Sequence, residues 1–190
     1  MTEGVQKKQQ SEWPRLCKAY REKVVPSLMS ELTLRNPMQV PRLEKIVVSM
    51  GLGAAVQNAK LVEMGVASLT WICGQKPVTA QARKSIAVFK VRKGMRVGVM
   101  VTLRRNRMWE FLDRFINIAL PRVRDFRGVD SRFDGHGNCS IGVTEQIVFP
   151  EVPYDQVERS RGLNVTLVTT ARNDKSGKAL LRELGIPFRR

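Results

Sequence analysis

The sequence predicts a single-domain α+β fold in which helices cover one face of a mainly antiparallel sheet. Helical and strand-like periodicities alternate irregularly along the chain. Two strand-like runs are separated only by a turn at Lys93-Gly94, which permits antiparallel pairing. The length of 190 residues, 43% of them hydrophobic, is enough for one buried core and excludes a wholly disordered basic chain.

The first 53 residues predict one helix and one strand. Apolar residues recur at helical spacing over residues 12–32, where Ser11 is the expected N-cap and Pro26 is expected to kink the helix. Residues 38–50 alternate as a strand with two half-buried faces. Residues 1–11 lack such patterns and are predicted to form an N-terminal tail, either a disordered segment that touches a ligand or padding, before a domain over residues 12–190.

The middle of the chain predicts two further helices around a pair of strands. Residues 58–74 predict a helix that begins at the N-cap Asn58 and stops at a glycine. Strands are predicted over residues 78–92 and 96–104, and the second alternates between a packed face and a presented face. A wide apolar stripe over residues 106–121 is typical of a helix that packs on the core.

The last third begins with a long loop over residues 122–142, rich in Arg, Asp and Gly, and loops of this length are usually functional. A strand is predicted over residues 141–149, followed by a short helix from Asp155 with Glu158 as its capping-box partner. A strand over residues 163–171 and a helix over residues 174–184 complete the chain. We see no internal repeat and no linker.

The positive charge is concentrated in the middle of the chain. There are 33 Lys and Arg against 17 Asp and Glu, a formal net charge of +16. No carboxylate lies between Glu63 and Glu110, a segment that contains ten basic residues: Lys76, Arg83, Lys84, Lys90, Arg92, Lys93, Arg96, Arg104, Arg105 and Arg107. An ordinary solvated surface would interleave the two signs, so this pattern favours binding of a polyanion over a generally basic, soluble surface.

Metal, nucleotide and membrane sites are each poorly matched. His136 and Cys139 have no second ligand pair nearby, too few for a tetrahedral zinc site. The turn Gly51-Leu52-Gly53 lacks the third glycine of a dinucleotide fingerprint, since position 56 is Val, and no Walker-type lysine follows. No 18-residue apolar run or signal-like start is present. We therefore expect no cofactor, no metal and no membrane association.

An enzyme is also not indicated. The sequence has no nucleophile-elbow motif for which the single His could act as the base. No paired carboxylates occur at recognisable catalytic positions. The three cysteines, more than fifty residues apart, are expected to be reduced core thiols. We therefore expect a non-catalytic protein and name no catalytic residue.

The basic strands suit RNA better than duplex DNA. Arginine forks bind phosphate oxygens, and their planes stack on unpaired bases. No helix-turn-helix, zinc finger or basic zipper is visible, whereas sheets with loops commonly bind single-stranded or irregular RNA. Aromatic residues, at 6%, are few and are assigned mostly to the core, so arginine is expected to do most of the stacking.

Seven motifs occur in order along the chain: NPMQVPRLEKI at 36–46, GQKP at 74–77, ARKSIA at 82–87, RMWEF at 107–111, PRVRDFRG at 121–128, FDGHGN at 133–138 and EQIVFPE at 145–151. Together they closely resemble the bacterial-type family of large-subunit ribosomal proteins, number five in its series, that bind 5S rRNA. The match runs from about residue 15 to the C-terminus.

The resemblance implies a curved antiparallel sheet backed by helices, in a protein that attaches 5S rRNA in the central protuberance of the large subunit. Its expected partners are 5S rRNA, other large-subunit rRNA, the P-site tRNA, a protein of the small-subunit head and other central protuberance proteins. The residues expected to contact 5S rRNA are Asn36, Met38, Gln39, Arg42, Gln75, Lys76, Lys90, Arg92 and Arg104.

Two further elements carry over from the resemblance. The loop around residues 80–86 would face the P-site tRNA, through Ala80, Arg83, Lys84 and Ser85. The loop over residues 127–145 would form the bridge to the small-subunit head protein, and its glycines would allow reach and movement; the residues expected there are Arg127, Arg132, Asp134, His136 and Asn138.

Two alternatives and one departure stay open at this point. The chain could be an RNA-processing enzyme, which needs an acid or metal cluster, or an RNA-binding module or chaperone outside the ribosome. His136 stands where the family commonly has Arg, which weakens any charge contact from that loop tip at neutral pH. The start has no transit-like leader, so a cytoplasmic, bacterial ribosome is expected over an organellar one.

Overall fold

A computed structural model describes residues 13–53, 58, 60–154 and 160–189. Within them, five strands form one sheet in the order β2-β3-β1-β5-β4, and every neighbouring pair is antiparallel. The strands are β1 (Leu43–Gly51), β2 (Val78–Gln81), β3 (Arg96–Leu103), β4 (Cys139–Val143) and β5 (Leu163–Thr169). The predicted single-domain α+β fold with a mainly antiparallel sheet is confirmed.

Four helical elements accompany the sheet. Helix α1 joins three segments, Arg15–Ala19, π-helical Tyr20–Val24 and Val25–Glu31. Helix α2 spans Lys60–Cys73 and helix α4 spans Asp174–Glu183. Helix α3 joins Arg105–Arg114, π-helical Phe115–Ala119 and Leu120–Arg122. Short 3-10 turns lie at Pro37–Gln39 and Gln146–Val148.

The alternation of the strands puts all of the helices on one face of the sheet. Residues at every second position, such as Ile46, Val48, Val101 and Val165, are buried against them. The apolar stripe predicted for the third helix is core, since Met108, Phe111, Leu112 and Phe115 are all buried. The intervening residues form the opposite face, on which no helix of the described residues packs, and this face is available for binding.

Two local predictions in α2 are confirmed by its ends. The Asn58 carboxamide oxygen accepts a hydrogen bond from the Lys60 amide at 3.0 Å, as an N-cap does. Gly74 has φ +61°, the left-handed conformation with which helices commonly end, and its amide bonds to the Thr70 carbonyl.

Two strand predictions were too long at one end. The strand predicted over residues 78–92 ends at Gln81, because the pairing with β3 shifts register after Ala80 and the chain then turns into its own small hairpin. The strand predicted from Met38 begins at Leu43, because Asn36 caps a 3-10 turn that includes Pro37.

Three other boundaries differ. The first helix begins at Arg15, after Pro14. A π-helical turn lies just before Pro26, the residue at which a kink was expected. The strand predicted over residues 141–149 lies over Cys139–Val143, and a 3-10 turn follows. The Ser11 cap, the tail over residues 1–11 and the short helix from Asp155 lie outside the described residues.

Candidate nucleic-acid interface

The helix-free side of the sheet, called here the open face, is lined by small and hydrogen-bonding side chains. It consists of Lys45, Val47, Ser49, Val78, Ala80, Arg96, Gly98, Met100, Thr102, Ser140, Gly142, Asn164, Thr166 and Val168, which the strand registers bring side by side. The Ser140 and Thr166 hydroxyls lie 3.0 Å apart across two strands. Such a face offers donors and acceptors with little charge of its own.

Basic residues collect at one end of this face. The registers place the starts of β1 and β2 beside the ends of β3 and β5, since Leu103 pairs with Ile46, Val78 with Met100 and Leu43 with Thr169. This arginine end is defined here by Arg42, Lys76, Arg104, Arg105 and Arg107, all of which are exposed. It also carries Asn36, Met38, Gln39 and Gln75, so the fold joins three sequence segments, residues 36–42, 75–76 and 104–107, in one place.

The basic groups of the arginine end are available to a ligand. Among the described residues, no carboxylate oxygen lies within 4.0 Å of Arg42, Lys76 or Arg104. Arg107 donates a hydrogen bond to the Gln75 side-chain oxygen at 3.3 Å, which orients that amide. Unpaired guanidinium groups at the surface retain their full capacity for phosphate.

Backbone contacts fix the shape of this end. The Asn36 side-chain oxygen accepts a hydrogen bond from the Met38 amide at 2.9 Å, so Asn36 shapes the turn while its NH₂ group is left for a ligand. The Met38 side chain is 84% exposed. The Arg42 and Thr170 main chains are joined by a 2.9 Å hydrogen bond, and Thr170 also accepts from the Arg42 amide through its hydroxyl. The turn before β1 is therefore held in place before any ligand binds.

Lys90 and Arg92, which were predicted to act with the residues above, lie at the opposite end of the sheet. They belong to the segment between β2 and β3, residues 82–95, called here the hairpin loop. Strand β3 separates the two ends, and the eight steps from Arg96 to Arg104 span about 26 Å at roughly 3.3 Å per residue. The hairpin loop therefore groups Lys90 and Arg92 with Arg83, Lys84 and Ser85, while Ala80 lies in β2 on the open face.

The hairpin loop has an apolar tip between basic flanks. Ile86 and Val91 pair through two backbone hydrogen bonds, and the Lys90 amide closes the turn onto the Ala87 carbonyl. At the tip, Val88 and Phe89 are 85% and 69% exposed. The sequence analysis missed this exposed aromatic because it assigned most aromatic residues to the core. The sequence signal that could have identified it is that Val88 and Phe89 are adjacent apolar residues outside any helical or alternating pattern.

The residues predicted for the bridge lie in a firmly held loop, residues 127–138, called here the aspartate loop. The Asp134 carboxylate accepts hydrogen bonds from the His136 amide at 2.9 Å and from the Asn138 amide at 3.0 Å. A bond from the Asn138 side chain, together with these two, lowers the pKa of Asp134 to about 2. Asp134 and Asn138 thus shape the tip, while Arg127, Arg132 and His136 are exposed on it.

The glycines of this loop were expected to allow movement, whereas the packing of Gly137 indicates a fixed loop. Gly137 has φ +78° and is buried, and a Cβ there would lie 2.6 Å from the Ala171 Cβ. The Gly137 amide also donates to Asp174 at 3.0 Å. This glycine therefore permits a close contact between the loop and the start of α4, which anchors the loop.

Two of the cysteines are unreactive because they are buried. Burial raises the pKa of the Cys73 thiol to about 12 and that of Cys139 to about 11, so both are neutral core groups. No cluster of three His, Cys, Asp or Glu side chains that could hold a metal occurs in residues 13–53, 58, 60–154 and 160–189. No helix in the described part is both long and apolar enough to cross a bilayer.

Comparison with known proteins agrees with this geometry. Residues 36–92 match the sequence profile of ribosomal protein L5, and residues 96–188 match the profile of the C-terminus of the same ribosomal family. The chain belongs to the ribosomal protein L5 family. Members of this family are structural, non-enzymatic components of the ribosome, and the predicted family and the absence of catalysis are confirmed.

Individual relatives match over nearly their whole length. The chain is 61% identical over 177 residues to the large ribosomal subunit protein uL5 of Roseiflexus sp. (strain RS-1), which covers 93% of this chain and 98% of the relative. It is 56% identical over 176 residues to the protein of that name from Geotalea daltonii, with 92% and 98% covered. The two family profiles include the arginine end and residues 82–92 of the hairpin loop.

Proposed function

We propose that this L5-family chain is a structural constituent of the large subunit of a cytoplasmic ribosome, where its arginine end and the adjoining open face bind 5S rRNA. The observation that supports this most strongly is the convergence of Arg42, Lys76 and Arg104 from three separate segments, with no carboxylate beside them in the described structure. Asn36, Met38, Gln39 and Gln75 complete the contact surface.

The two parts of this surface have different tasks in the proposal. The arginines bind phosphates and supply most of the affinity, which is therefore salt-dependent. The exposed amides and hydroxyls, including Gln39 and Thr102, hydrogen-bond base edges and ribose 2′-hydroxyls, which distinguish RNA from DNA. Specificity for 5S rRNA then comes from the fixed spacing between the charged end and the neutral face.

The hairpin loop is proposed to contact the P-site tRNA. Arg83, Lys84, Lys90 and Arg92 supply phosphate contacts around the exposed Phe89 ring. Ser85 has an indirect part, because its hydroxyl accepts a hydrogen bond from the Lys93 amide at 3.0 Å and holds the loop. Ala80 supports the base of the loop from β2.

The aspartate loop is proposed to form the bridge to a protein of the small-subunit head. Arg127, Arg132 and His136 face outward and make the contact, while Asp134 and Asn138 keep the tip in shape. The remaining surface of the chain is left for large-subunit rRNA and other central protuberance proteins.

The test compares 5S rRNA with an unrelated folded RNA of equal length, titrated in salt from about 0.05 to 0.3 M, where nonspecific phosphate contacts fade. We expect Arg42→Ala/Arg104→Ala to weaken 5S rRNA binding at least tenfold, since each substitution removes an ion pair with a phosphate. The charge-matched control is Lys23→Ala/Lys60→Ala, two exposed lysines in α1 and α2 that are not among the residues defining the arginine end.

The control variant should bind 5S rRNA within about twofold of the unmodified protein, because only the uniform electrostatic attraction changes. Equal losses in the two double variants would mean that the protein binds RNA as a uniformly basic body. Loss of 5S rRNA at the same salt concentration as the unrelated RNA would likewise contradict the proposal.

A further inference from the structure

Strand β4 lies at the edge of the sheet and keeps part of its main chain unpaired. Its N-terminal end is covered, since Phe133 bridges to Cys139 and the Asp134 amide bonds to the Asn138 carbonyl at 3.2 Å. That carbonyl therefore points away from β5, and by the two-residue alternation of a strand so do the N–H and C=O groups of Ser140 and Gly142. The same bridge turns the Ser140 amide towards the Arg132 carbonyl, so the groups that no described backbone group bonds are the Ser140 carbonyl and both main-chain groups of Gly142.

A trough runs alongside this free edge. Its cavity of about 450 Å³ is lined on one side by residues 140–143 of β4 and on the other by the segment that follows α3, with Val123 and Phe126 among the apolar residues. Ser140 and Gly142 are exposed. An unpaired edge with apolar and polar groups facing it is the arrangement to which an extended peptide adds as a further strand.

The charge beside the trough selects the partner. Residues 122–132 contain the four arginines Arg122, Arg124, Arg127 and Arg132, against two aspartates. Asp130 is already shared between Arg132 at 3.8 Å and Arg189 at 4.0 Å. All four arginines are exposed, so an incoming segment meets a net positive rim.

We propose that the β4 edge binds an extended, acidic segment of a partner protein by strand addition, with main-chain hydrogen bonds to the Ser140 carbonyl and to Gly142 and carboxylates beside the rim arginines. The inference rests on the protein contact proposed for residues 127–145 and deepens it by naming the backbone edge and the chemistry of the partner segment. An RNA strand is less suited, because it cannot continue the β-ladder.

The test measures binding of a fluorescein-labelled ten-residue peptide that alternates valine with glutamate. Gly142→Pro removes the outward-facing N–H of residue 142, whereas Gly142→Ala keeps it. Proline is tolerated at this position because the N–H on a free strand edge has no partner within the sheet. A Cβ at this position meets only Asn164 Oδ1, at 3.5 Å, so the alanine fits. We expect the alanine variant to bind like the unmodified protein and the proline variant roughly tenfold more weakly.

Two further peptides separate strand addition from simple attraction to a basic protein. A peptide with lysine in place of glutamate and one with proline at alternate positions, its glutamates retained, should both fail to bind. Equal binding to the two Gly142 variants, or equal binding of the proline-containing peptide, would overturn the inference.

A second readout is needed if the Gly142→Pro variant does not fold. In that event the unmodified protein still decides the matter, since the two glutamate peptides carry the same charge but differ in their capacity to pair. All variants are also titrated with 5S rRNA. Retained rRNA affinity with no peptide binding would overturn the strand-addition inference alone, whereas loss of rRNA binding by the unmodified protein would contradict the proposed function.

Discussion

The hairpin loop and the aspartate loop are alike in sequence and unlike in structure. Both contain arginine and glycine, and both were predicted to be functional. The hydrogen bonds of the hairpin loop all join its own residues within the described chain, and residues 83–90 are all exposed. The aspartate loop is bonded to β5 and α4, through Thr169 and Asp174 among others.

The difference follows from two kinds of residue. The Asp134 carboxylate accepts hydrogen bonds from main-chain amides of the aspartate loop itself. The hairpin loop has no carboxylate, and its basic side chains are exposed. Gly137 lets the aspartate loop touch the body of the protein, whereas Gly94 of the hairpin loop faces open space. The aspartate loop is thus a rigid part of the fold, whereas the hairpin loop projects from it. Variants in the two loops test that difference.

The largest effect is expected from Gly137→Ala compared with Gly94→Ala. Both glycines have positive φ, +78° and +89°, so both variants incur about 1 kcal/mol of backbone strain. Only the Gly137 variant also forces a Cβ to 2.6 Å from Ala171, so its loss of unfolding free energy should reach about 3 kcal/mol. Urea denaturation measures both, and equal losses would show that the aspartate loop is not anchored.

A smaller difference is expected between the aromatic residues of the two loops. The Phe133 ring packs 6.0 Å from the Phe188 ring and against the core, whereas the Phe89 ring is largely exposed. Phe133→Ala should therefore lower the free energy of unfolding by about 2 kcal/mol and Phe89→Ala by less than about 0.5 kcal/mol. Thermal and urea unfolding give both values; a larger loss for Phe89→Ala would mean that the hairpin tip packs on the body.

The order and type of most elements could be predicted from the sequence because their signals are local. Alternation in Arg96–Leu103 and Leu163–Thr169, the Asn58 cap and the helical period of Asp174–Glu183 each lie within about a dozen consecutive residues. The exposed hairpin within residues 78–92 was missed because its apolar residues imitate a strand, and only the register shift with β3 ends the pairing.

The candidate site was less predictable because it depends on pairing between distant segments. Charge and the resemblance identified Arg104 and Lys90 alike, yet the antiparallel register puts them at opposite ends of β3. The contact of Gly137 with Ala171 and Gly177 likewise joins residues more than thirty positions apart. Neither arrangement leaves a signal in the local sequence.

Acid should weaken the aspartate loop through a single carboxyl group. Since the pKa of Asp134 is about 2 in the folded chain, below its ordinary value of 3.8, its contribution to stability is full above pH about 4 and disappears as the pH falls towards 2. Asp134→Asn cannot titrate, so the difference in urea midpoint between the two proteins should shrink over this range. A difference that is constant with pH would contradict the assignment.

The smallest effect concerns Lys90 in the hairpin loop, which has φ +54° where such turns usually carry glycine. Lys90→Gly and Lys90→Ala remove the same charge, but only glycine relieves the left-handed backbone. The glycine variant should be about 0.5–1 kcal/mol more stable than the alanine variant if the loop forms together with the rest of the fold. A projecting loop that opens on its own would show no difference in global unfolding, and hydrogen exchange of the Lys90 and Val91 amides would then detect the change locally. The result therefore measures how independent the hairpin is from the sheet that carries it.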